Sequence, residues 1–125
     1  MSILIIEDDD GVRDSLAAIL RDEGHLVEAV GNGSEAMARL QRRPLPTLIL
    51  LDLMMPGMDG IDFRQRQLGD AALRKIPVVI ISARPDVARQ AARLHVDAFL
   101  RKPMSFEELI HVVQNRAITE VGAPE

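Results

Sequence analysis

The stretch LILLDLMMPGMDG, residues 48–60, decides how this chain folds. Four aliphatic residues, Leu48 to Leu51, run without polar alternation into a carboxylate, Asp52. Such a run suits a strand buried on both faces, as in a parallel sheet. Pro56, Gly57 and Gly60 then break regular structure and mark a loop. Asp52 is therefore expected where a central strand ends, the edge at which open α/β sheets bind ligands. Taken alone, Asp52 reads equally well as a cap on the next element.

Outward from that stretch the pattern repeats. Ser2 to Ile6 reads as a strand ending in Glu7, Asp8, Asp9 and Asp10, and Leu26 to Val30 as a second strand. Val78 to Ile81 runs into Ser82, and Ala98 to Arg101 into Lys102 and Pro103. Between the strands lie helical patterns. One carries Val12, Leu16, Ile19 and Leu20, with Asp10 as N-cap and Gly24 as its stop. Ser34 is placed as the cap of a second, with Ala36, Met37 and Leu40 inward; Pro44 and Pro46 exclude helix beyond it. A third starts near Gly60 on Ile61, Phe63 and Leu68, with Gly69 interrupting a stretch that could run to Arg74. Asp86 caps a fourth, with Val87, Ala91 and Leu94 inward. A capping box, Ser105 to Glu108, opens a fifth with Leu109, Val112 and Val113 buried. Residues 1–119 are expected as one domain and 120–125 as a frayed tail. Strands alternating with helices imply a parallel doubly wound sheet with right-handed crossovers. The expected fold is α/β and flavodoxin-like, five strands in the order 2-1-3-4-5 with five helices.

Composition excludes several functions. The 125 residues include no Cys, so there are no disulfides or thiolate metal sites. Three Phe, no Trp and no Tyr leave few stacking platforms for single-stranded nucleic acid. A net charge of −4 gives no basic footprint for direct nucleic-acid binding. No run suggests a signal peptide or membrane insertion, so a cytoplasmic protein is expected. His25, His95 and His111 lack metal-ligand spacing. Met54, Met55 and Met58 are expected to pack within their loop, and Arg42 and Arg43 to be a solvated helix end.

In a parallel sheet all carboxyl ends share one edge, so Glu7, Asp8, Asp52, Ser82 and Lys102 should converge there. Crowded carboxylates repel and disfavour one another's ionisation. A hard divalent cation relieves this, and Mg²⁺ keeps positions open for phosphate oxygens. Lys102 adds a positive charge for an anion and Ser82 a donor. The pattern suits a phosphoryl group beside a metal.

Four motifs in order carry a resemblance: ILIIEDD at the start, LLDLMMPGMDG in the middle, VVIISA at the fourth strand and FLRKP at the fifth. The chain resembles the receiver domain of two-component response regulators over nearly its whole length. That resemblance implies phosphoryl transfer, in a two-component system or phosphorelay, from the phosphohistidine of a histidine kinase or histidine phosphotransfer protein to Asp52. It implies Mg²⁺, with Mn²⁺ as a substitute, held by Glu7, Asp8, Asp52 and the backbone carbonyl of Met54. Ser82 matches the switch hydroxyl, Lys102 the phosphate-pairing lysine before a cis bond to Pro103, and Phe99 the aromatic that changes rotamer. Signalling would pass to the face of the fourth helix, fifth strand and fifth helix. Such a domain catalyses its own phosphorylation and dephosphorylation and is not an enzyme acting on others; no output domain is expected in this chain.

The chain departs from the family pattern in three places. His95 stands where glycine usually ends the fourth helix, the segment from Ser82 to Lys102 is slightly short, and Met104 replaces the usual aromatic after Lys-Pro. Other readings fit less well. A haloacid-dehalogenase-like phosphatase needs a second acid two residues after the nucleophile, where this chain has Met54. Flavin binding needs a phosphate loop after the first strand, where this chain has acids. A docking module without phosphoryl chemistry would not need every reactive position filled.

Overall fold

The computed structural model describes residues 1–54, 60–96 and 98–120. The aliphatic runs form β1 (Ser2–Ile6), β2 (Leu26–Val30), β3 (Leu48–Asp52), β4 (Val78–Ser82) and β5 (Ala98–Arg101), all paired in parallel in the order β2-β1-β3-β4-β5. Between and after them lie α1 (Asp10–Asp22), α2 (Gly33–Arg39), α3 (Gly60–Leu68), α4 (Val87–Arg93) and α5 (Phe106–Glu120). This is the expected architecture.

The missing polar alternation has a direct cause. β3 and β4 are buried at every residue, so alternate side chains feed two separate cores. Ile3, Ile5, Leu48, Leu50, Val79 and Ile81 meet Leu16 and Leu20 of α1 and Leu109 and Val113 of α5. Leu4, Ile6, Ile49, Leu51, Val78 and Ile80 meet Ala36 of α2, Phe63 of α3, and Val87 and Ala91 of α4.

The helix starts correct two expectations. Asp9, not Asp10, caps α1: its backbone is extended and its carboxylate accepts the Val12 N–H at 2.9 Å. Asp10 already lies in the first turn and pairs with Arg13. Asn32, not Ser34, caps α2, accepting the Glu35 N–H at 2.8 Å, because the chain turns helical at Gly33. Asp86 occupies the cap position of α4 but makes no capping bond; its carboxylate binds Arg84 instead. The capping box of α5 forms in both directions: the Ser105 N–H donates to Glu108 at 2.9 Å and the Glu108 N–H to the Ser105 hydroxyl at 3.1 Å. Gly24 takes φ +95° just beyond α1, as a helix stop does. Residues 121–125 of the expected tail lie outside the described residues, and α5 continues through Glu120.

α3 buries a face the hydrophobic pattern did not show. Phe63 is fully buried, but Ile61 is exposed and Leu68 only half-buried, while Arg64 and Gln67 are buried. The helix ends at Leu68, and Leu73–Lys75 form a separate 3₁₀ turn. Polar wiring explains this. Arg64 donates to the carbonyls of Leu94 at 3.1 Å and His95 at 3.2 Å, and to Gln67 Oε1 at 2.7 Å. Gln67 Nε2 then donates to the carbonyls of Leu73 at 2.8 Å and Ile76 at 3.0 Å. Burial lowers the Arg64 pKa, yet a guanidinium stays charged, and it faces the negative end of α4.

This clamp closes α4 where glycine is missing. His95 takes φ 59°, a left-handed conformation that a Cβ makes costly, and its carbonyl is one that Arg64 holds. Replacing Arg64 by Met should lower the unfolding free energy by about 2–4 kcal/mol, because buried carbonyls lose their donors. Exposed Arg66 changed to Met is the control in urea denaturation. Equal losses for both variants would show that the clamp contributes nothing.

Candidate functional site

Strand register brings the reactive residues to one edge. Asp52 is the last residue of β3 and lies opposite Ile81; Ser82 is the last of β4 and lies opposite Arg101. The Lys102 N–H donates to the Ser82 carbonyl at 2.9 Å, and the Glu7 N–H to the Val30 carbonyl at 3.1 Å, carrying the ladder one residue past β5 and β1. Behind this edge α3 presses on the end of β3. A Cβ on Gly60 would lie 2.5 Å from the Leu53 Cα and 2.6 Å from the Asp52 carbonyl oxygen. Only glycine allows that approach, so the last glycine of the quoted stretch sets how closely α3 backs Asp52.

Glu7, Asp8 and Asp52 each present a carboxylate oxygen within 4.8 Å of the others. Glu7 and Asp52 are buried and Asp8 is exposed, so the cluster opens to solvent on the Asp8 side. Lys102 Nζ lies 2.9 Å from Glu7 Oε1 and 3.4 Å from Asp52 Oδ2. The other Asp52 oxygen accepts the Met54 N–H at 3.0 Å, and the second Glu7 oxygen the Asp9 N–H at 3.2 Å. Arg13 donates to the Glu7 carbonyl at 3.0 Å, a contact the sequence did not reveal.

These contacts shift two ionisations. Burial, then hydrogen bonding to Asp52, raises the Glu7 pKa; the Lys102 hydrogen bond opposes them without cancelling them. For Lys102, burial alone would lower the pKa, but the Glu7 hydrogen bond and the Asp52 and Glu7 charges outweigh it, and the net shift is upward. Among the described residues one ammonium serves two carboxylates, so the cation gains two partners while Glu7 shares its cation with Asp52.

Of the candidate residues, Glu7, Asp8, Asp52 and Lys102 come together, and Ser82 borders them, fully buried. The Lys102–Pro103 bond is cis, as expected. Phe99 lies opposite Ile80 on the edge strand β5 and is 40% exposed. Met54 is 57% exposed, so its side chain does not pack in its loop as expected. Met55, Pro56, Gly57 and Met58 lie outside the described residues. Sequence reasoning missed Gln90, buried on α4 with its Oε1 3.4 Å from the Ser82 hydroxyl. The signal was present: position 90 falls on the inward face marked by Val87, Ala91 and Leu94, so a polar residue there needs a partner.

The arrangement offers three carboxylates whose oxygens could hold a hard cation, with an ammonium beside two of them. Comparison with known proteins points the same way. The response regulator receiver domain family matches residues 3–114. The chain is 39% identical over 118 residues to the response regulator Rre1 of Synechocystis sp., covering 92% of this chain and 51% of that protein. It is 38% identical over 124 residues to the sensory transduction protein RegX3 of Mycolicibacterium smegmatis, covering 98% and 52%. The chain thus spans about half the length of these curated relatives. Among solved structures, the signal receiver domain of a histidine kinase from Syntrophus aciditrophicus superposes with a TM-score of 0.85 at 32% identity, over 99% of this chain and 94% of that one.

The raised Glu7 pKa has a testable sign. The unfolded carboxyl ionises near its ordinary value of 4.5 and the folded one only at higher pH, so ionisation favours the unfolded chain over that interval. In chelator, the stability of Glu7→Gln relative to the unsubstituted protein should therefore grow as pH rises above 4.5 and then level off. Urea denaturation at a series of pH values reads this difference. A relative loss of stability in Glu7→Gln over the same interval would reverse the assigned sign.

Proposed function

This chain belongs to the response regulator receiver domain family of two-component signal transduction, and from that premise we propose that Asp52 is its phosphoacceptor. The observation that carries the reading is the buried Asp52 carboxylate held beside Lys102 Nζ, with Glu7 and Asp8 completing an acidic cluster. In the proposed step an Asp52 oxygen attacks the phosphorus of a phosphohistidine. The P–N bond breaks, its electron pair returns to the imidazole, which takes up a proton, and Asp52 becomes an acyl phosphate. Lys102 would follow a phosphoryl oxygen, a reading supported by its two partners among the described residues, which are both carboxylates. Ser82 is the hydroxyl that would donate to another.

The donor set fits Mg²⁺ or Mn²⁺: oxygen ligands only, with an exposed carboxylate toward solvent. Glu7, Asp8 and Asp52 would hold the ion together with the Met54 carbonyl. When bound, such an ion neutralises charge on the transferring phosphoryl oxygens. Charge arriving on Asp52 would then be read through Ser82 and Phe99 at the face of α4, β5 and α5. The proposed donor is a histidine kinase or histidine phosphotransfer protein, in the cytoplasm. Among the described residues no helix is long and apolar enough to cross a membrane.

Intact mass after incubation with acetyl phosphate and Mg²⁺ should show one added phosphoryl group. Chelator, Asp52→Asn and Asp8→Ala should each reduce uptake by about tenfold or more, the scale of losing a charge contact in phosphoryl transfer. Undiminished uptake by Asp52→Asn would refute the assignment.

Phosphoryl lifetime follows from what flanks the site. Met54 is exposed and apolar, and cannot orient a water by hydrogen bonding. Arg84 donates through both Nε and a terminal nitrogen to Asp86, each at 3.0 Å, and offers no base. Hydrolysis of the acyl phosphate should therefore be slow for the family. Met54→Asn and Arg84→Glu should hasten single-turnover loss of phosphate by about threefold to tenfold, less than the roughly hundredfold of a fully positioned general base. Unchanged decay in both variants would show that neither residue gates the attacking water.

A further inference from the structure

Gln90 is a buried polar group that the core does not require. It lies on the face of α4 that carries Val87, Ala91 and Leu94 into the aliphatic layer, yet it ends in a carboxamide and is 8% exposed. Its Oε1 is 3.4 Å from the Oγ of Ser82, which is fully buried. Ser82 Oγ accepts the Arg84 N–H at 3.1 Å, so the proton of the hydroxyl is what remains to be placed. Among the described residues, Gln90 Oε1 is the acceptor it reaches. A hydroxyl has one proton. It can be donated to Gln90 or to a phosphoryl oxygen on Asp52, never to both at full strength.

We propose that Gln90 is a positioning residue: it holds the Ser82 hydroxyl turned toward α4 in the unphosphorylated protein, and its loss of that proton couples phosphoryl uptake to movement of α4. The inference rests on the reading in which Ser82 donates to the phosphoryl group. When Ser82 turns, Gln90 Oε1 is left without its buried donor, a state that costs more than the bond was worth. The carboxamide has a wet alternative. Gln90 borders an open groove of about 340 Å³ between α3 and α4, lined also by Gln65, Arg84, Asp86 and Arg93. Arg64 holds the carbonyls of Leu94 and His95 at the far end of α4, so the helix is tied there. Movement is thereby confined to the half that carries Val87 and Gln90. At the near end Val87 packs into the core, and the polar contacts are exposed ones, the Arg84–Asp86 pair and the bond from Arg101 to the Pro85 carbonyl at 2.8 Å.

The test is a cycle on positions 90 and 82. Gln90→Met keeps length and bulk and removes the strong acceptor; Gln90→Leu serves as a second variant of the same kind. Initial rates of phosphoryl uptake from acetyl phosphate with Mg²⁺ are compared in Ser82, Ser82→Thr and Ser82→Ala backgrounds. Removing the acceptor should speed uptake by about twofold to fivefold where a hydroxyl is present, the worth of one long neutral hydrogen bond acting as a population shift. In the Ser82→Ala background it should change nothing. In the unphosphorylated protein, the amide resonance of Arg84 should move in Gln90→Met, since that N–H donates to the Ser82 oxygen. An equal change in all three backgrounds, or none in the presence of the hydroxyl, overturns the inference while leaving the phosphoacceptor assignment intact. Failure of the unsubstituted protein to take up any phosphoryl group overturns that assignment, and the inference falls with it.

Discussion

A single ammonium group closes the open edge of this sheet. Asp52 ends β3 and Glu7 directly follows β1, two of the sheet's most apolar strands, and both carboxylates are buried. A carboxylate charge buried there is costly without a cation close by. Lys102 supplies it from the far end of the chain, 95 residues from Glu7 and 50 from Asp52. The register β2-β1-β3-β4-β5 brings it there, and the Lys102 N–H is itself tied to the last carbonyl of β4. The fold and the charge arrangement are therefore one constraint. An ammonium shared between two carboxylates also leaves the site under-neutralised, which suits it to receiving a divalent cation.

The region next to that edge is built unevenly. The far end of α4 is fastened by a buried guanidinium, which Gln67 orients while its amide satisfies the carbonyls after α3. At the near end Val87 packs into the core, and the polar contacts are exposed pairs and one long hydroxyl contact to Gln90. Salt bridges at exposed positions contribute little, whereas buried hydrogen-bonded charges are costly to disrupt. The polar contacts of the near end are therefore the weaker set.

The helix caps show where reading residues in line reaches its limit. Aspartates at positions 8, 9 and 10 are alike as letters, and only the backbone turn at Asp9 selects the cap. Ser34 is a good cap by type, yet Asn32 is better placed because the helix begins at Gly33. The α5 box was legible because it needs two residues at a fixed spacing, and both of its bonds form.

By itself the sequence determined the five strands, the burial of β3 on both faces and the gathering of Glu7, Asp8, Asp52, Ser82 and Lys102. Apolar runs ending in charged or hydroxyl residues allow few other arrangements in a parallel sheet. The inner face of α3 was not legible. Arg64 and Gln67 look like solvated residues until the carbonyls of α4 and of the 3₁₀ turn come within their reach. Gln90 likewise gained meaning only once Ser82 was seen beside it. Hydrophobic pattern reports which residues leave water, because that preference belongs to each side chain alone. Which buried polar group meets which partner depends on distances between segments far apart in the chain, and only the tertiary structure decides those.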